Sequence, residues 1–284
     1  MKIILGTAQF GQRYGISNTS KVSKKEIKKI LKISEINNVL SIDTSSNYGK
    51  CEEILGEIGI KKFKIYSKFD FFPEGKKNVL KHVEKKIFLS LSKLKKDFFE
   101  GVYIHSFKNF LRKRPFEIIE SLLNLKARGI IKKIGFSIYF PEEYKYLKAI
   151  YKPDLIQVPL NLFDQRFLRK GIIKQILNDK IELNIRSIFL QGLLLMKKKE
   201  RPKKFKKWSF EWKMWDEWLS IQNLTPLEAC IKYIYSIKKK SNIIVGVNDS
   251  LQLKEILKIK NEKKNKLNKF KGFEINKLIN PTQW

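Results

Sequence analysis

The sequence predicts an α/β fold, a (β/α)8 TIM barrel, and three observations carry that prediction. Short strand-like runs alternate with longer amphipathic stretches from end to end. The alternation repeats eight times in 284 residues, about 35 residues per repeat. The glycine-rich G-x-G-x-x-G turn of the competing open, doubly wound sheet does not follow the first strand-like run. Parallel neighbours need a crossover between them, so unbroken βα alternation demands a parallel sheet, and eight units of this size favour closing it.

The elements follow in order. "KIILGT" (2–7) reads as the first strand, and "SKKEIKKILKISEINN" (23–38) as the first helix, with Ile27, Ile30, Leu31 and Ser34 at helical spacing. "VLSIDT" (39–44) leads to a helix from about Gly49, and "FKIYSKF" (63–69) to a long helix near 76–95. "GVYIHSF" (101–107) precedes a helix near 115–128, which Gly129 should end by taking a left-handed conformation. "IKKIGFS" (131–137) precedes a helix opening with Pro141-Glu142-Glu143, where proline loses no amide bond. "LIQVPLN" (155–161) leads to "LRKGIIKQILND" (168–179), and "IELNIRSI" (181–188) to a long segment near 190–238. "SNIIVGV" (241–247) and "DSLQLKEILKIK" (249–260) close the series. No linker divides the chain, so one domain over 1–284 is expected. The tail from about Asn261 carries Phe270, Phe273, Ile275, Leu278 and Trp284 and should pack across the barrel.

Composition narrows the function classes. An apolar fraction of 43% indicates a globular chain. Cys51 and Cys230 make no disulfide framework and lack metal-ligand spacing, which suits a reducing, cytoplasmic setting. The opening apolar run is broken at Gly6-Thr7, unlike a signal peptide, and nothing approaches the ~18 apolar residues of a membrane span. The net charge is +32, from 60 basic and 28 acidic residues. The excess is mostly lysine, scattered, and accompanied by abundant Ile and Asn, as AT-rich codons produce. Drift therefore outweighs a nucleic-acid footprint as its explanation, although a positive surface would still draw anionic ligands.

In a barrel of this kind the site lies at the C-terminal strand ends. Those ends carry Gly6-Thr7, Asp43, Lys68, His105, Ser137, Gln157 with Asn161, Arg186-Ser187, and Gly246 with Asn248. Small or polar residues thus occupy every end of otherwise apolar runs. His82, in a Lys-rich helix, reads as a surface residue, whereas His105 closes the run "GVYI". Two histidines exclude a His-rich metal centre, no G-x-S-x-G elbow is present, and Asp43 has no partner carboxylate for glycoside hydrolysis. An acid/base site of tyrosine, lysine and histidine remains. A free phenol has a pKa of about 10. Lys68 is expected to lower that of Tyr48, and Asp43 to keep the lysine charged.

These residues resemble the aldo-keto reductase superfamily, and the resemblance covers essentially the whole chain. "IDTSSNYGKCEEILG" (42–56) resembles its D-T-x-x-x-Y-G-x-x-E signature, and "LGTAQFGQRYGI" (5–16) its first strand and loop. Lys68, "GVYIHSF", "IKKIGFSIY", "LIQVPLNLFDQR" and "IRSIFLQGLLL" follow in the family's order. The resemblance implies hydride transfer between a nicotinamide cofactor and a small carbonyl or alcohol substrate, including sugars. It makes Tyr48 the proton donor, tuned by Lys68 and Asp43, with His105 positioning the substrate. Ser137 and Gln157 would hold the carboxamide, Arg186 would stack on the ring, and Gly192 would let the backbone pass the pyrophosphate. Gly6, Thr7, Asp43, Ser187, Gly246, Asn248, Gln252 and Glu255 complete the implied cofactor site, and no metal is implied. Three positions depart from the pattern. Ile138 stands where many relatives have Asn, Asn248 where NADP-preferring relatives carry Arg, and Ile256 where Asn is usual. The cofactor expectation is NADP or NAD, with a slight lean to NADP helped by the lysines.

Two alternatives stand beside the reductase: a non-catalytic relative that binds cofactor as a sensor or partner subunit, and a basic nucleic-acid-binding barrel. The segment 196–218 bears on the second, because it interleaves basic and aromatic residues. Trp208, Trp212 and Trp215 fall at helical spacing, so packing on the barrel is preferred to substrate contact and to nucleic-acid binding.

Overall fold

The structure, a computed structural model, describes residues 1–16, 21–71, 78–112, 114–237, 240–261 and 267–284. Eight parallel strands close in chain order: β1 Ile3–Gly6, β2 Ser41–Asp43, β3 Lys64–Phe69, β4 Gly101–Ile104, β5 Ile134–Ser137, β6 Leu155–Pro159, β7 Glu182–Arg186 and β8 Ser241–Gly246. β8 returns to β1 with Ile3 opposite Ile243 and Gly6 opposite Gly246, which completes the expected (β/α)8 barrel.

Helices lie between successive strands, and their ends follow from local chemistry. The Ser23 hydroxyl accepts the Glu26 amide at the start of Lys24–Ile36, and the Asn78 side chain accepts that of Lys81 at the start of Val79–Leu94. Thr225 and Glu228 form a reciprocal capping box ahead of Pro226–Ser236. Gly129 follows Pro115–Ala127 with φ 75°, as expected of a glycine ending a helix. Two expected elements divide. The stretch 168–179 contains Gly171 at φ 69°, which separates Arg166–Arg169 from Ile172–Asn178. The stretch 190–238 opens as three short 3-10 turns before Ser209–Gln222 and Pro226–Ser236. The part of the helix expected at 76–77, and 238, lie outside the described residues.

Two apolar layers fix where side chains point. Ile4, Tyr66, Tyr103, Leu155 and Ile244 pack together inside the barrel. Their neighbours Leu5, Ile65, Val102, Ile156 and Val245 join the larger core outside it. Successive strand residues face opposite sides, so the residue two beyond each interior one also faces inward. From the first layer those residues are Gly6, Lys68, His105, Gln157 and Gly246, at the barrel's mouth. The same rule explains why polar residues at these strand ends need not disturb the outer core.

The segment after β7 and the tail pack on each other. Trp212, Trp215 and Trp218 are buried, with Phe163, Phe270 and Phe273 among them. Arg201 lies over Trp212 at 4.2 Å and pairs with Asp216. The Gln165 amide donates to the Phe270 carbonyl at 3.0 Å, and the Phe273 amide to that of Phe163 at 2.7 Å, so the tail lies across the loop after β6.

Candidate active site

Tyr48 is placed by backbone contacts. A Cβ on Gly11 would stand 1.8 Å from the Tyr48 carbonyl oxygen, so only glycine lets the loop after β1 approach the loop after β2. The Ser45 and Ser46 hydroxyls both donate to the Lys68 carbonyl, at 3.0 and 3.3 Å, tying the tyrosine loop to β3. Thr7 directs its amide (3.1 Å) and its hydroxyl (3.0 Å) at the Asp43 carbonyl, which holds the end of β2.

A chain of buried polar side chains crosses the mouth. The Lys68 ammonium pairs with Asp43 Oδ1 and donates to the Thr44 carbonyl at 2.9 Å. Gln157 Nε2 donates to Asp43 Oδ2 at 2.8 Å, and the Ser137 hydroxyl to Gln157 Oε1 at 3.3 Å. Lys68 Nζ lies 5.2 Å from the centre of the Tyr48 ring, and His105 meets that ring edge-on, 6.4 Å between centres. The four residues singled out in the sequence therefore gather at one point.

Their electrostatics differ from expectation in one respect. Burial, and after it the Asp43 carboxylate, push the Tyr48 phenol well above its ordinary value. The Lys68 charge is taken up by Asp43, so the lysine does not bring the phenol down. Tyr48 is held neutral with its proton on. Burial, then the Lys68 and Arg186 cations, lower His105 to about 3, so its ring is neutral as well.

Tyr48 and Asp43 open onto a cleft of about 460 Å³ that runs to Gln252 and Glu255 on the helix Ser250–Asn261. Every cofactor candidate named in the sequence lines it except Ser137. Lys68, His105 and Ser137 stand behind the lining, the first and last reaching it through Asp43 and Gln157. The loop after β7 shapes the middle of the cleft. Ser187, Leu190, Gln191 and Gly192 all have positive φ, at 59°, 50°, 54° and 87°. Three successive left-handed residues, two of them not glycine, mark strain of the kind kept at ligand sites. The Ile16 amide donates to the Gln191 carbonyl at 3.0 Å, so the loops after β1 and β7 join beside the cleft.

The sequence matches the Aldo/keto reductase family over residues 2–269. The chain belongs to the aldo/keto reductase family. Among solved structures it is similar to an aldo-keto reductase from Bacillus halodurans in its holo form (15% identity, 96% of this chain and 94% of that one, TM-score 0.74). It is similar also to a glycerol dehydrogenase from Gluconobacter oxydans (18%, 93% and 87%, TM-score 0.72). A Pseudomonas aeruginosa protein proposed to be an aldo-keto reductase gives 21%, 91% and 88%, with TM-score 0.65. No curated protein matches the chain. At these identities the structural likeness concerns the fold.

For a member of this family the departures at the cleft are informative. Arg186 lies 4.0 Å over the Tyr139 ring and donates to the Ile138 carbonyl and the Ser187 hydroxyl, both at 3.2 Å. Its Nε is buried with no hydrogen-bond partner. Beyond Arg186 the charged lining residues are Asp43, Glu200 and Glu255. At the start of Ser250–Asn261, Glu26 accepts the Ser250 amide at 2.7 Å and Asp249 accepts that of Gln252 at 2.8 Å. Sequence reasoning missed Gln9, Tyr14 and Glu200 in the lining, and Asp70 beside His105. Gln9 and Tyr14 sit in the quoted "LGTAQFGQRYGI", where their side chains could have been read. Glu200 and Asp70 carry no local signal. His82 is half-buried, not the surface residue expected.

Proposed function

We propose that this protein is a nicotinamide-dependent oxidoreductase that reduces a small aldehyde or ketone, with Tyr48 as proton donor. One observation carries the reading: a neutral, half-buried phenol beside Asp43, Lys68 and His105 that opens onto the cleft. Bound nicotinamide would supply the hydride. The protein supplies the rest. Tyr48 offers its hydroxyl proton to a carbonyl oxygen, and Lys68 with Asp43 fixes the local charge. Gln157, braced by Ser137, presents an amide to the cofactor's carboxamide end. Arg186 has one face backed by Tyr139, and a guanidinium plane can take a flat ring on the other. The left-handed run ends in Gly192, which lines the cleft and, having no side chain, would let a pyrophosphate pass close to the backbone. The Leu190 and Gly192 amides are already given to the Ser187 and Phe189 carbonyls.

The lining supports NAD over NADP, against the slight lean taken from the lysines. A 2′-phosphate wants a cation, and Arg186 apart the charged lining residues are the carboxylates Asp43, Glu200 and Glu255. The two helix-start amides are already given to Glu26 and Asp249. The protein acts, in this reading, as a single domain in the cytoplasm. Among the described residues no helix is long and apolar enough to cross a membrane.

A fluorescence titration with NADH and, separately, NADPH tests the proposal. Saturable binding, tighter for NADH, is expected. Asn248→Arg should then tighten NADPH about 10-fold, the worth of one charge-assisted hydrogen bond. Failure of both dinucleotides to bind sinks the reading. NADPH binding tighter than NADH sinks its cofactor half.

A further inference from the structure

The lysines after β7 take no part in the cleft chemistry. Residues 197–213 carry nine basic and two acidic side chains. The seven lysines between 197 and 207 are all exposed, and none of them forms an ion pair among the described residues. The segment that bears them is firmly seated. Phe205 is fully buried, its carbonyl accepts the Trp212 indole N–H at 2.9 Å, and Arg201 is buried against Asp216. Packing thus turns the ring and the guanidinium inward and leaves the ammoniums outside.

An apolar stripe continues the patch. On the helix Ser209–Gln222, Phe210, Met214 and Ile221 are spaced by four and seven residues, so they share one face, away from the buried Trp212, Trp215 and Trp218. Phe210 is 68% exposed and Ile221 73%. Glu217 interrupts that face, and Lys213 stands 3.8 Å from its carboxylate.

The side chains discriminate among anionic partners. A second copy of the chain would bring +32 against +32. A small phosphate is best read by an arginine fork, and Arg201 is turned inward onto Asp216. A nucleic-acid strand wants open aromatic faces, whereas Lys207 lies over Trp208 at 4.5 Å and Lys204 over Trp284 at 5.8 Å. Point charges on flexible stems beside an exposed apolar stripe fit a diffuse, fluid anionic surface into which those side chains can dip. We propose that the lysines of 197–207 and the Phe210–Ile221 face form a docking surface for a bilayer rich in anionic phospholipid. Leu195, Met196 and Glu200 of the same segment line the cleft, so docking sets the cleft beside the headgroups.

Cosedimentation with vesicles tests this. It needs no cofactor or substrate, so its failure is separate from failure of the reductase reading. At about 150 mM salt the protein should pellet with phosphatidylcholine vesicles containing about 30 mol% phosphatidylglycerol, and stay in solution with phosphatidylcholine alone. Each lysine near such a surface is worth about 5-fold in affinity. Lys198→Gln, Lys199→Gln, Lys203→Gln and Lys206→Gln together should therefore weaken binding more than about 100-fold. The same change of charge at Lys28, Lys32, Lys61 and Lys145, exposed on other elements, should weaken it less than about 5-fold. Phe210→Ser should cost about 10-fold, as withdrawal of a buried ring does. Equal binding to both vesicles, or equal losses from the two sets of lysines, overturns the proposal. So does a protein that ignores both vesicles but holds poly-glutamate or an oligonucleotide at that salt. Unchanged binding by Phe210→Ser overturns the apolar part.

Discussion

Asp43 uses both carboxylate oxygens, one on Lys68 and one on Gln157, and this decides how Tyr48 behaves. An ammonium free to face the phenol would have lowered its pKa, whereas one neutralised by Asp43 cannot outweigh burial. The sequence could reveal the four residues, because strand-end positions in phase with an inward face are readable from a period of two. It could not reveal which charge dominates, since that depends on distance. Tyr48→Phe is expected to cut turnover by about 10²- to 10⁴-fold, the usual worth of a general acid, with dinucleotide titration unchanged. Lys68→Met leaves Asp43 buried without its cation and should cost about 3–5 kcal/mol in a denaturant titration. Lys68→Met with Asp43→Leu should recover part of that. His105 gives a pH test. Its folded pKa of about 3 lies below the ordinary value of about 6.5, so the stability it contributes is present above 6.5 and lost as pH falls toward 3. His105→Gln should make acid unfolding over that window shallower than in wild type.

The helix Cys51–Ile58 shows what an element needs besides pattern. Its Glu52 turns into the core, where the Ser67 hydroxyl from β3 (3.1 Å) and the Ser90 hydroxyl from Val79–Leu94 (2.5 Å) donate to one oxygen. Burial raises the Glu52 pKa despite both bonds. Stability linked to this group is therefore fully present below the ordinary carboxylate range and declines as pH rises through the raised value. Glu52→Gln, which mimics the protonated form, should be more stable than wild type at neutral pH, and the gap in melting temperature should close on acidification. By physical pattern alone a helix-start glutamate reads as a solvent-facing dipole partner, and only its place as the closing Glu of the quoted D-T-x-x-x-Y-G-x-x-E signature sets this one apart. The break at Gly171 is similar, because a lone glycine in an apolar pattern can be tolerated or can end a helix. The loop after β7 was the least legible. Leu190 and Gln191 rarely adopt positive φ, and only their surroundings hold them there.

At the scale of the molecule, eight repeats and their polar ends made the barrel legible, because each repeat signals it independently. The +32 charge did not lead to a function in the same way. The tryptophans of Ser209–Gln222 are turned into the protein and leave Phe210 as that helix's exposed aromatic, too little to stack successive bases. A single-stranded oligonucleotide should bind only weakly at low salt and come off by about 200 mM, as counterion-driven association does. Retention above that concentration in a gel-shift titration would require a built site. The burial of those side chains also has a spectroscopic side. All five tryptophans, Trp208, Trp212, Trp215, Trp218 and Trp284, lie in the segment after β7 or in the tail, and the strands contain none. Intrinsic emission is thus a beacon for one corner of the molecule and is dark to the barrel wall. Melts followed by emission and by far-ultraviolet dichroism will coincide only where that corner and the barrel come apart together, and a gap between the two curves would measure how loosely the corner is attached.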